Sequence, residues 1–129
     1  MSVQAVYKGV RMSPRKVSVV AALVRGRSVA DAMVILDHTP RRAAQAVKKA
    51  VVSAGANAEH NHNYKPDTLF ISEISVTPGI RYRRYRAAAR GQALRFARST
   101  SQIWVLVDGQ QRENKKKSAK AVDQEKSDG

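Results

Sequence analysis

The sequence predicts an α+β fold: three helices packed on a small antiparallel sheet, with a long extended β-hairpin arm. Three observations lead there. Helix-start signals followed by helically spaced apolar residues recur three times between residues 13 and 59. Residues 69–77 and 103–107 carry the β-branched, apolar composition of strands. Between those two strands, residues 78–102 are too polar to form a core and too many for an ordinary loop.

Residues 3–10 partly alternate, with Val3, Ala5 and Tyr7 on one side and Gln4, Val6 and Lys8 on the other, and predict a first strand. Ser13-Pro14 then opens a helix over residues 14–25. The serine hydroxyl suits a free backbone N–H, and proline at the first helical position has none to leave unpaired. Val17, Val20, Ala21 and Val24 recur at helical spacing, Arg15, Ser18 and Arg25 face outward, and Gly26 ends the helix in a corner with Arg27.

Ser28 with Asp31 resembles a capping box and predicts a second helix to about residue 37, buried through Ala32, Met33, Ile35 and Leu36. Thr39-Pro40 repeats the cap-plus-proline signal and predicts the longest helix over residues 40–59, with an apolar stripe of Ala43, Val47, Ala50, Val51 and Ala54. Its small alanines permit close helix packing. Gly55 lowers helix stability and marks either a fray or a close approach.

The uninterrupted run Ile103-Trp104-Val105-Leu106-Val107 predicts a strand covered on both faces or paired centrally, with Trp104 in the core, and its expected partner is residues 69–76. If the pair is antiparallel, the segment between them is a two-stranded arm turning within residues 87–91. Limbs of about ten residues would project on the order of 30 Å at 3.3 Å per residue. Such an arm is marginally stable alone in water and is expected to order on a partner.

The sequence therefore divides into one domain, residues 1–109, including an arm at 79–102, and a tail at 110–129. The tail's apolar residues are Val122 and two alanines, too few to offset the entropy of ordering it, so disorder is expected.

Charge indicates the partner. The chain of 129 residues carries 24 Lys and Arg against 10 Asp and Glu, a formal charge of +14. Between Glu73 and Asp108 there is no acid in thirty-four residues, yet Arg81, Arg83, Arg84, Arg86, Arg90, Arg95 and Arg98 all fall there. Bunched guanidinium groups repel one another unless a polyanion screens them. These bases are all arginine, which contacts phosphate bidentately and stacks on bases, and Tyr82, Tyr85 and Phe96 are interleaved with them, so a solvated charge run is the weaker reading. A nucleic acid fits, whereas a membrane does not: no stretch approaches the roughly 20 apolar residues of a spanning helix. Residues 1–11 lack the form of a signal peptide, so the protein is expected to stay in the cytoplasm where it is made.

Catalytic and metal-binding readings find little support. The chain has no cysteine, which excludes disulfides and Cys-based zinc sites. His60 and His62, near Glu59 and Asp67, lack the spacing to a third ligand, and a helix end favours histidine anyway. No serine sits in a nucleophile motif and no glycine-rich phosphate cradle is present. The chain is expected to be no enzyme and to need no cofactor or metal.

Several motifs, taken in order, resemble a known family. They are Arg11-Met12-Ser13-Pro14-Arg15-Lys16, Arg25-Gly26, the helix ending Ala56-Asn57-Ala58-Glu59-His60-Asn61, then Gly79, the arginine arm, Arg90-Gly91, and Arg98-Ser99-Thr100-Ser101 running into the last strand. Over about residues 5–109 the chain is similar to the bacterial large ribosomal subunit protein L twenty-two (uL twenty-two) family. Each capped helix alone is a weak signal, but the asparagine–alanine–acid–histidine–asparagine ending, the basic glycine turn and the terminal strand are together specific.

The resemblance implies a body on the outer face of the large subunit and a hairpin reaching through large-subunit (23S-type) rRNA to line the peptide exit tunnel. It also implies a role early in assembly and an influence on macrolide antibiotics. Neighbouring ribosomal proteins and the nascent peptide would be further partners, with no homo-oligomer. The rRNA-binding residues expected are Arg11, Arg15, Lys16, Arg41, Arg42, Lys48 and Lys49 on the body and the seven arginines of the arm. Arg84, Arg86, Ala87, Ala88, Arg90 and Gly91 would form the tunnel-proximal tip. Ala88 stands where the family usually has a basic residue, Ala87 where proline is frequent, and Gln102 where histidine is common; these departures bear on tip contacts and antibiotic response, not on architecture. A free-standing architectural RNA- or DNA-binding module is the alternative that charge alone leaves open.

Overall fold

A computed structural model describes residues 2–111. Strand β1 (Val3–Val10) is followed by helices α1 (Pro14–Val24), α2 (Val29–His38) and α3 (Ala43–His62), then by strands β2 (Phe70–Ala87) and β3 (Ala93–Asp108). The sheet order is β1-β3-β2 with both pairings antiparallel, so the strand that carries the uninterrupted apolar run 103–107 is central, one of the two placements that run predicts. The α+β class, the three helices and the long hairpin agree with the sequence reading.

Helices α1 and α3 cover one face of the sheet, and α2 packs chiefly against α3. Val3, Ala5, Ile71, Ile74, Ile103, Val105 and Val107 project into that layer and meet Val17, Val20, Ala21 and Val24 of α1, Val29, Ala32 and Leu36 of α2, and Val47, Ala50, Val51 and Ala54 of α3. Met33 and Ile35 are only partly buried. Apolar burial of this kind contributes about 25 cal/mol per Å² and holds together a body that has no cysteine for a disulfide.

Local chemistry explains where the elements end. Ser28 Oγ accepts the Asp31 N–H at 3.2 Å, the cap that the sequence indicates. Ser13 makes no such side-chain bond, and Pro14 supplies the start of α1. Gly26 takes φ +77° in the corner after α1. That corner is pinned along β2, because the Arg27 carbonyl accepts the Ile71 N–H at 2.8 Å and the Leu69 carbonyl accepts the Val29 N–H at 3.1 Å. Arg25 does not simply face solvent: Nη2 donates to the Ile74 carbonyl at 3.0 Å.

Thr39-Pro40 acts differently from the sequence expectation. Thr39 closes α2, with Oγ1 donating to the Ile35 carbonyl at 2.6 Å and its N–H to the Leu36 carbonyl. Helix α3 starts later, at Ala43, and runs on to His62, where Asn63 adopts the left-handed conformation and the Tyr64 N–H returns to the Ala58 carbonyl. A hydroxyl before proline is consistent with a helix end as well as a start, since proline disfavours helical backbone in the residue preceding it. The helix passes unbroken through Gly55, whose missing Cβ would lie 3.5 Å from Val29 Cγ1, so this glycine marks a contact with α2 and not a fray.

Trp104 is the second correction. In β3, Ile103, Val105 and Val107 face the helices, and Trp104 and Leu106 alternate onto the other side, half-buried. The run is apolar because the strand is central, not because both faces are covered. Of the tail predicted from residue 110, Gln110 accepts the Lys65 N–H at 2.8 Å and Gln111 bridges to Tyr64. Residues 112–129 of that segment lie outside the described residues.

The arm is mounted where both outer strands bulge. Pairing of β1 slips between Tyr7 and Val10, and pairing of β2 slips between Pro78 and Arg81; Val10 and Pro78 both pair with Ser101. Ser101 is fully buried there, and its Oγ has no hydrogen-bond partner among the described residues. Removing an unsatisfied buried hydroxyl removes its desolvation cost. Ser101→Ala is accordingly expected to raise stability by about 0.5–1 kcal/mol in urea unfolding.

Candidate nucleic-acid interface

Beyond Ser101 the hairpin has two strands and, among the described residues, no covering layer. Residues 79–87 of β2 extend on the order of 30 Å from the body at about 3.3 Å per residue. Cross-strand pairing sorts the side chains. Tyr82 with Arg98, Arg84 with Phe96 and Arg86 with Leu94 share one face; Arg81 with Ser99, Arg83 with Ala97 and Tyr85 with Arg95 share the other. Both faces therefore carry arginine, and residues 81–87 are all exposed.

On the first face the rings organise the cations. The Arg84 guanidinium lies over the Tyr82 ring at 5.7 Å and that of Arg86 over Phe96 at 5.1 Å. Arg84 Nη1 also donates to the Arg83 carbonyl at 2.8 Å. Such contacts narrow the rotamer freedom of long side chains and leave N–H groups available for an anion.

At the apex, Ala89 to Gln92 form a type I′ turn: Arg90 has φ 61° and ψ 33°, Gly91 has φ 71°, and the Gln92 N–H reaches the Ala89 carbonyl at 3.5 Å. This turn matches the twist of a hairpin, but a left-handed conformation is costly for arginine. Arg90→Gly relieves that strain while adding backbone entropy, so hairpin stability is expected to change by less than about 0.5 kcal/mol. Amide exchange at Ala88, whose N–H donates to the Gln92 carbonyl at 2.8 Å, measures it.

At the base, Arg11 joins arm and body. It lines a concavity with Tyr82, Arg84, Phe96 and Arg98, and a second with Tyr7, Arg42, Gln45 and Lys49. The two share Arg11 and make one basic track from the arm across the end of β1 to the start of α3. Helix α3 begins on this side without a side-chain cap, so its positive end adds to the potential.

The remaining expected site residues lie elsewhere. Arg15 and Lys16 are exposed on the first turn of α1, and Arg41 is exposed just before α3. Lys48 forms a salt bridge to the Asp37 carboxylate, the only one among the described residues, so it is the least available of the set. Tyr7 and Gln45 join the track without having been singled out, and only their neighbours Arg11 and Lys49 signal them in sequence. His60 and His62 are exposed in the last turn of α3, and no group of three His, Asp or Glu among the described residues is placed to share a metal ion. No helix among the described residues is long and apolar enough to cross a membrane.

Comparison with known proteins gives a consistent result. Residues 5–108 match the family described as ribosomal protein L22p/L17e. The chain is 47% identical over 107 residues to the large ribosomal subunit protein uL22 of Oceanobacillus iheyensis, covering 83% of this chain and 95% of that one. It is 44% identical over 107 residues to uL22 of Clostridium tetani, covering 83% and 96%, and 41% identical over 108 residues to uL22 of Thermomicrobium roseum, covering 84% and 92%.

Proposed function

The chain belongs to the L22p/L17e family of ribosomal proteins, structural constituents of the large subunit, and from that premise we propose that it binds large-subunit rRNA through the arm and the basic track at its base. One observation carries the reading: of the 18 Lys and Arg among residues 2–111, a single one, Lys48, has an acidic partner. An uncompensated surface of this density repels itself, and neighbouring phosphate relieves that repulsion.

The arm enters between RNA helices whose phosphates repel each other, and its guanidinium groups, on both faces, neutralise the two sides at once. The ring-held Arg84 and Arg86 fix position. Phosphate contacts supply most of the affinity, and recognition is by RNA shape more than by base sequence. Arg11, Arg15, Lys16, Arg41, Arg42 and Lys49 contact RNA from the body, with Lys48 contributing once its pairing with Asp37 is exchanged. The tip, Arg84 to Gly91, reaches the wall of the peptide exit tunnel and the nascent peptide. The protein supports assembly by holding these RNA segments together and catalyses no reaction.

Large subunits purified through a high-salt wash test this. The protein is expected in one copy per subunit, with amides of residues 80–98 protected far more strongly there than in the free protein. Equal protection in both states, or recovery mainly on DNA or free mRNA, rejects the reading.

A further inference from the structure

The helices lie on one face of the sheet, and among the described residues the opposite face carries no layer of its own. Trp104 and Leu106 of β3 lie at its centre, with Val6 of β1 paired beside Trp104, and Trp104 Nε1 donates to Thr77 Oγ1 at 3.1 Å, which holds the indole toward β2. Gln4, Glu73, Ser75, Thr77, Trp104 and Leu106 line one shallow depression there. Phe70, 43% exposed, extends the same side toward the end of β3 as the partner of Asp108.

The chemistry of this depression is opposite to that of the arm. Its lining contains no arginine or lysine in a chain of charge +14, and its one charge is Glu73, which forms no salt bridge among the described residues. A carboxylate beside an indole and a leucine repels phosphate and offers RNA no cation. It suits a polypeptide: apolar side chains on Trp104 and Leu106, and a base on Glu73.

We propose that this face docks another protein of the large subunit, through a segment that combines apolar side chains with a lysine or arginine facing Glu73. The inference rests on the large-subunit reading above. The chain's own residues 112–129 are the poorer occupant. They offer lysines, but their only apolar residues are Ala119, Ala121 and Val122. The preceding Gln111 is paired with Tyr64, which is buried with the helices on the other side of the sheet.

Because the chain has no cysteine, Ser75→Cys introduces a single thiol in the depression, to which a photoactivatable maleimide can be attached. Ala93→Cys on the arm is the companion variant. In isolated large subunits carrying each variant, the probe at position 75 is expected to give a ribonuclease-resistant cross-link to one other ribosomal protein, and the probe at 93 a ribonuclease-sensitive one to rRNA. Adding Glu73→Arg is expected to lower the protein cross-link by about tenfold, the effect of reversing one interfacial charge of about 1.4 kcal/mol. Cross-linking at 75 to rRNA, to the chain's own tail or to a second copy overturns this inference alone. So does a thiol at 75 that reacts as fast in intact subunits as in the free protein. Absence of the variants and the unmodified chain from large subunits overturns the large-subunit reading, and this inference with it.

Discussion

Replacing Arg83, Arg84 and Arg86 together by alanine is expected to weaken binding to large-subunit rRNA by about a hundredfold at 0.15 M salt. Each lost phosphate contact lowers the slope of log K against log salt by about 0.7–0.9, and extrapolated from 1 M salt this is a factor of about five per contact. Three contacts multiply to about a hundredfold, and the slope falls by about 2–3. The three side chains are exposed and their contacts stay within the arm, with Tyr82, Phe96 and the Arg83 carbonyl. Unfolding of the body should therefore shift by less than about 0.5 kcal/mol, the usual range for surface substitutions. Filter binding across a salt series, with thermal unfolding of the free protein, separates the two effects. An unchanged salt slope, or a loss of body stability that accounts for the weaker binding, would rule out a phosphate role for the arm.

How far the sequence disclosed this arrangement depends on which physical signal each residue carries. Strand β1, the capped start of α2 and the hairpin follow from alternation, from Ser28 and from the length of the polar interval, all of which are local. Thr39-Pro40 misled because a hydroxyl before proline is compatible with closing one helix or opening the next, and the choice is made by the Thr39 bond to Ile35. Trp104 misled because the central position of β3 and burial on both faces write the same apolar run. The arginines were legible because charge without compensation is visible in one dimension. Their sorting into two faces, and the union of Arg11 with Arg42, Lys49 and Arg98, required the register and the convergence of β1, α3 and the arm.

The site also depends on how the arm is aimed, and Gly79 is where a single methyl group would change it. A Cβ there would lie 2.7 Å from Thr100 Oγ1, 3.4 Å from the Thr100 carbonyl carbon and 3.5 Å from the Ser101 nitrogen. The hydroxyl cannot turn aside freely, because it donates to the Ile80 carbonyl at 2.6 Å and Thr100 is 5% exposed. That bond spans the β2 bulge, so the same atom excludes a side chain at 79 and fixes the kink from which the arm leaves the body. Gly79→Ala is expected to cost about 1–3 kcal/mol, as overpacking does. Thr100→Ala alone should cost about 1 kcal/mol through the lost hydrogen bond, yet it opens the space a methyl at 79 would need. The double variant should then be more stable than the sum of the two by at least about 1 kcal/mol. Urea unfolding gives the cycle, and amide exchange along residues 81–87 reports whether the arm keeps its register. Additive losses would mean that Gly79 is tolerant and that the direction of the arm is set elsewhere. Positive coupling with restored arm protection would place that control in the contact between Gly79 and Thr100.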